Sequence, residues 1–208
     1  MAEIVYTIGH SNHPPERFIA LLEQHGITAL ADVRSQPYSR MYPQFNRENL
    51  KRLLAPHGIA YVFLGRELGA RSDDPSCYSN GKVRYDRLAQ TGLFHQGIDR
   101  VLEGAKTHRL ALMCAEKEPL ECHRFILVSR ELAARGAEVL HIVEYGAIES
   151  HADALVRLRN RLKLPEYDLF RTPEEIIDEA YCLQGERIAY QPAAETGEES
   201  GPAGSTAP

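Results

Sequence analysis

No apolar run in this chain approaches the ~20 residues needed to cross a bilayer, so no membrane-spanning role is expected. Its start, MAEIVYTIGH, has no basic stretch ahead of an apolar core. No signal peptide and a cytoplasmic location are therefore the expectation. Cysteine is scarce: Cys77, Cys114, Cys122 and Cys182 are irregularly spaced, with no pair of CxxC motifs. That pattern excludes a disulfide framework and points to reduced thiols. Basic residues are not in excess, because 24 Lys and Arg against 29 Asp and Glu leave a net charge of −5. A generally basic, nucleic-acid-coating surface is excluded, although a local basic groove is not. No repeat at a solenoid period is present.

What is there fits one globular unit. At 208 residues the chain is long enough for one domain that buries about 70% of its unfolded surface without disulfides or metal. The segments EIVYTIGH, ITALADV, IAYVFL, RLALMC and AEVLHIV read as five short strands rich in β-branched and aromatic residues. Between them lie helical patterns. One follows Pro14 and Pro15 with Phe18, Leu21 and Leu22 on one face, and another runs from about Asn46 to Gly58. A third spans about Tyr85 to Lys106 with a break near Gly92, and a fourth is CHRFILVSRELAARG. Helical patterns return near residues 151–163 and 173–183, while the Pro/Gly/Ser/Glu-rich stretch 191–208 reads as disordered. The expected architecture is α/β: a mainly parallel sheet of about five strands with helices on both faces, plus C-terminal helices. The domain is expected over residues 1–190, its core over 4–145 and a helical extension over 146–190.

In such a sheet, ligands sit outside the carboxyl ends of the strands, and the unusual polar residues cluster at those ends. CAEKEPLECHR places Cys114 at a strand end and Cys122, His123 and Arg124 at a helix start. A helix start favours anions and lowers thiol pKa values, and Arg124 adds a fork suited to phosphate or carboxylate. The plainer reading is two small core cysteines, with Arg124 paired to Glu116 or Glu121. In ADVRSQPYSRMYPQFN, Asp32 ends a strand, and Arg34, Ser35 and Arg40 follow as anion-binding candidates. Tyr38, Tyr42 and Phe45 could stack on a base or simply pack the loop. Gly9-His10-Ser11 offers a close-approach glycine, a proton carrier and either a ligand or a helix cap. The catalytic candidates are thus His10, Asp32, Cys114 and Glu116. The substrate-binding candidates are Ser11, Arg34, Ser35, Arg40, Cys122, His123 and Arg124. No metal site is expected, because neighbouring residues such as Cys122 and His123 seldom reach one ion and the gap from Cys114 to Cys122 is no zinc-knuckle spacing. His10 would be the outside ligand. Residues 71–82 read as a turn-rich loop able to cover a cleft.

In order, TIGHS, DVRS-x-P-x-SR, the Leu-Gly-x-x-Leu-Gly run at 64–69 and MCAE…CHR resemble the domain of unknown function 488 family of small bacterial and archaeal proteins. The resemblance covers roughly residues 4–145 and implies a compact α/β domain, with no activity or cofactor to carry over. A more distant similarity is to the rhodanese and cysteine-phosphatase architecture, where an Asp-x-Arg follows an early strand and a catalytic cysteine lies between strand and helix. Here Arg124 stands ten residues past Cys114, whereas those enzymes cradle the anion with a loop about half as long. The leading functional expectation is an enzyme acting on a phosphorylated or otherwise anionic substrate, such as a nucleotide or a nucleic-acid end. The alternatives are a non-catalytic module for nucleotide or single-stranded nucleic acid, and a cysteine-dependent transferase or hydrolase. Neither the cofactor nor the oligomeric state is legible.

Overall fold

The structure is a computed structural model and describes residues 2–192. The expected disorder of 191–208 lies almost wholly outside the described residues. Five strands form as the β-branched and aromatic segments predict: β1 (Ile4–Gly9), β2 (Ala29–Asp32), β3 (Ala60–Phe63), β6 (Leu110–Cys114) and β7 (Glu138–Ile142). They are mutually parallel. A sixth strand, β8 (Ile148–Ser150), pairs antiparallel with β7 and closes one edge. Its three residues are too short for the period-2 pattern to register. A separate two-stranded hairpin, β4 (Tyr78–Ser79) and β5 (Lys82–Val83), gives structure to the turn-rich segment.

The sheet order is β3-β2-β6-β1-β7-β8. Alternation along the strands divides the core. Tyr6, Ile8, Leu30, Ala111 and Met113 face α1 (Pro15–Gln24) and α2 (Arg47–Leu54), which bury Phe18, Leu21, Leu22, Leu50 and Leu54. Val5, Ala31, Leu112 and Cys114 face the opposite layer. That layer is α5 (Gly92–Ala105) and the helix after β6, with Phe94, Ile98, Leu127 and Leu132. The helix after β6 is not uniform: Arg124–Ser129 is π-helical and only Arg130–Ala134 (α6) is α-helical. All six π-helical residues are buried. Wide turns of this kind recur beside functional sites.

The chain leaves β1 toward β2 through α1 on one face and leaves β6 toward β7 through α6 on the other. The direction of winding therefore reverses between the adjacent strands β1 and β6, and a crevice opens outside their carboxyl ends. The C-terminal helices α7 (His151–Arg161) and α8 (Pro173–Ile188) do not stand apart. Ala154, Leu158, Ala180 and Tyr181 share a core cluster with Leu120, Phe125 and Ile126. No described helix is long and apolar enough to cross a membrane.

Candidate functional site

Two glycines set the backbone around the crevice. A Cβ on Gly9 would lie 1.9 Å from the Glu116 carbonyl oxygen, and one on Gly65 would lie 1.9 Å from the Arg34 carbonyl oxygen. These contacts are backbone against backbone, so only glycine permits them. They hold the loop after β6 against the end of β1, and α3 (Gly65–Leu68) against the loop after β2. The loop after β6 is pinned further by His10 N–H to the Cys114 carbonyl and Ser11 N–H to the Ala115 carbonyl, both at 2.9 Å.

Beneath this rim lies a buried polar network. Arg34 donates from Nε to Asp32 Oδ1 at 2.8 Å and from Nη2 to Asp32 Oδ2 at 2.6 Å. Its Nη2 also reaches the Phe45 carbonyl at 2.8 Å, and Tyr61 Oη donates to Asp32 at 2.9 Å. Arg34 Nη1 donates to His10 Nε2 at 3.0 Å. The guanidinium cannot accept and the Ser11 carbonyl cannot donate, so His10 is neutral with its proton on Nδ1, 2.9 Å from Ser11 O. Burial, then the Arg34 charge, lower its pKa to about 4. His10 is therefore a strut between Arg34 and the β1 loop, with both ring nitrogens engaged. Its ring stacks on Phe45, at a centroid distance of 4.4 Å.

Arg124 is 1% exposed, and its forks point at backbone. Nη1 donates to the Glu116 carbonyl at 2.6 Å and Nη2 to the Lys117 carbonyl at 3.1 Å. The sequence suggested an anion ligand at this position. The structure turns the guanidinium inward because the π-helical turn sinks its whole length into the core. Arg124→Ala should strand two buried acceptors, each worth roughly 1–3 kcal/mol, and lower the melting temperature by about 10 °C. Thermal unfolding followed by circular dichroism reads this. An unchanged melt would return Arg124 to the ligand side.

Cys114, Glu116, Cys122 and His123 gather above Arg124. One donor atom from each lies within 4.8 Å of all the others. His123 Nδ1 is 3.6 Å from Cys114 Sγ and 3.9 Å from Cys122 Sγ, and Cys122 Sγ is 2.8 Å from Glu116 Oε2. His123 Nε2–H donates to the Val33 carbonyl at 3.1 Å. Burial pushes the Cys114 thiol well above its ordinary range, with its S–H turned to Cys122 and the negative charges nearby adding to the effect. Burial alone would raise Cys122 too. The hydrogen bond from Cys114, the Arg124 charge and His123 outweigh it and hold that thiol well below its ordinary range. Burial of the carboxyl, then the Cys122 sulfur, raise the Glu116 pKa above its ordinary value.

A cavity of about 250 Å³ opens on this cluster. Its wall includes Cys114, Glu116 and His123 on one side, and Arg34, Ser35 and Gln36 from the loop after β2. Arg71, Tyr85, Ile188 and Tyr190 also line it, with Ala70, Ala115 and Glu121, the last paired with Arg161. His10, Asp32 and Arg124 share the edge with these residues but stand behind the cavity wall, and Cys122 does likewise. Ser11 and Arg40 do not line it. Ser11 bonds Asn12, and Arg40 is exposed in the loop after β2. A second groove of about 290 Å³, lined in part by Cys182, lies between α4 (Tyr85–Leu88), α6 and α8, away from Cys114 and Cys122.

Sequence reasoning singles out neither Tyr85 nor Tyr190 as a site residue, and places Arg71 only at the start of the loop able to cover a cleft. Arg71 stacks on the Tyr190 ring at 4.2 Å, and its N–H donates to Ser35 Oγ at 3.0 Å. The Tyr190 carbonyl accepts from Val83 N–H at 2.9 Å, tying the end of α8 to the hairpin. Adjacency to the Leu-Gly-x-x-Leu-Gly run marked Arg71 weakly. Nothing local marked Tyr190, which is brought in from more than a hundred residues away.

A family model described as Domain of unknown function DUF488 matches residues 14–130, more than half of the chain. The match begins after β1 and ends before β7, although both strands flank the site. No curated protein and no solved structure matches the chain.

Proposed function

We propose a function for this chain, which belongs to the family Domain of unknown function DUF488: it is an enzyme acting on a phosphorylated or similarly anionic substrate. The observation that carries the reading is one cavity with an arginine free of carboxylate partners among the described residues on one wall and a raised-pKa carboxyl on another. The Arg71 guanidinium lies over the Tyr190 ring, which positions it while its donors stay available to an anion. Arg34 lends positive field and a single uncommitted Nη1 hydrogen, since Asp32, His10 and Phe45 occupy the other four. Glu116 carries the proton. A carboxyl held above its ordinary range is better matched to transfer near neutral pH than a free one. His10 is neutral and fully engaged, and so it positions Arg34. At about 250 Å³ the cavity is below the usual span of roughly 300–1,000 Å³ for whole small-molecule sites. That size suits a phosphoryl or carboxylate group with its immediate attachments, such as the end of a nucleotide or strand, more than an entire nucleotide.

Isothermal titration with inorganic phosphate and with a 5′-mononucleotide tests this. Both are expected to bind, and Arg71→Ala should weaken each about 10- to 100-fold, the worth of one charge-assisted hydrogen bond at roughly 1.5–3 kcal/mol. Glu116→Gln should bind normally and turn over nothing. Absent phosphate binding, or an Arg71→Ala variant that binds as wild type, would remove the anion site.

A further inference from the structure

Four donor atoms, one from each of Cys114, Glu116, Cys122 and His123, lie within 4.8 Å of one another, and we propose that these residues bind one zinc ion. The proposal goes beyond the anionic-substrate reading and does not depend on it; with zinc bound, Glu116 is an ionised ligand and can carry a proton only after leaving the metal. Spacing alone argued against a shared ion, because Cys122 and His123 are neighbours. The backbone removes that objection: Cys122 is extended at φ −132°, ψ 141°, and His123 is helical at φ −59°, ψ −25°. The chain turns between them, and both side chains face Cys114.

Distances, orientation and charge support the assignment independently. In a tetrahedral site with Zn–S near 2.3 Å and Zn–N near 2.0 Å, the sulfur-to-nitrogen edge is about 3.5 Å. The two edges here are 3.6 and 3.9 Å. The bond from His123 Nε2–H to the Val33 carbonyl leaves Nδ1 as the free lone pair facing both sulfurs. Such an outer hydrogen bond is how ligating histidines are held in tautomer and orientation. Arg124 supplies the charge argument. It is 1% exposed, bonds only two carbonyls, and its Nε has no partner among the described residues. A buried cation needs a compensating anion. Two thiolates, one carboxylate and Zn²⁺ sum to −1, and Arg124 neutralises that. The two sulfurs favour zinc over Mg²⁺ or Ca²⁺, which take oxygen ligands. Glu116 lines the cavity, so it is the ligand that can yield to water or to an entering oxygen.

The full chain is purified under reducing conditions without chelator and its metal content is measured by mass spectrometry. About one zinc per chain is expected, and exchange for Co²⁺ should give sulfur-to-cobalt charge-transfer absorption. Cys114→Ser combined with Cys122→Ser should lose both signals. Should that variant fail to fold, alkylation of the native protein decides. With zinc bound, Cys114 and Cys122 should resist iodoacetamide while exposed Cys182 reacts, and stripping the metal should expose both. A reduced, folded protein with no zinc and no cobalt spectrum overturns the proposal. So does zinc retained in the double variant. Neither readout involves phosphate or turnover, so failure here leaves the Arg71 measurement standing on its own result.

Discussion

Gly9→Ala is expected to lower the melting temperature by on the order of 10 °C and to abolish phosphate binding in the cavity. The added Cβ would sit 1.9 Å from Glu116 O and 3.0 Å from Lys117 Cα. No rotamer change relieves a clash with backbone, so either β1 or the loop after β6 must move. Overpacking of this kind costs about 3 kcal/mol at the upper end of its usual range, and a domain of this size loses roughly 2–4 °C per kcal/mol. Movement of the Glu116 carbonyl also breaks its 2.6 Å bond to Arg124 Nη1, and with it the placement of Cys114 and Glu116. Gly92→Ala is the control, because a Cβ there meets nothing within 4 Å at the start of α5. It should be neutral or slightly stabilising. Equal melting temperatures for the two variants would mean the close approach at Gly9 is not obligatory.

Acidification from pH 7 to pH 4 is expected to cost the fold roughly 3 kcal/mol through His10 and a similar amount through His151. His151 sits in a buried chain. Thr7 Oγ1 meets His141 Nδ1 at 2.8 Å, His141 Nε2 meets His151 Nδ1 at 3.1 Å, and His151 Nε2 meets Tyr181 Oη at 2.7 Å. Burial lowers the His151 pKa to about 4 and, with the neighbouring His151 and Arg124, holds His141 well below its ordinary value. Between pH 6.5 and 4 the unfolded chain binds these protons and the folded chain does not, so stability falls as pH falls. A shift from 6.5 to about 4 corresponds to about 3 kcal/mol per group at pH 4. His151→Gln should be less stable at pH 7 yet lose about 3 kcal/mol less on going to pH 4. Urea titrations at the two pH values read the difference directly, and parallel losses in variant and wild type would clear His151 of the effect.

The strand and helix segments, the parallel α/β class and the gathering of polar residues at the carboxyl edge were all legible in the order of residues. They depend on local period, on turn chemistry and on the rule that parallel strands end together. Gly9 and Gly65 could be named as special for the same local reason, though not for the particular carbonyls they clear. What the chain order could not reveal is which way each long side chain turns at that edge. Arg34 and Arg124 look identical in a sequence to free anion ligands. Asp32, His10 and the Phe45 carbonyl engage four hydrogens of Arg34, and two loop carbonyls engage two of Arg124, because a buried guanidinium needs internal acceptors. The convergence of Cys114, Glu116, Cys122 and His123 depends on the fold of a nine-residue loop, and the cavity wall of Arg71, Tyr85 and Tyr190 on α8 docking against the hairpin. Periodicity reports which face of an element is apolar. Only packing decides which distant polar groups meet, since each contact between them has to outweigh the cost of taking both out of water.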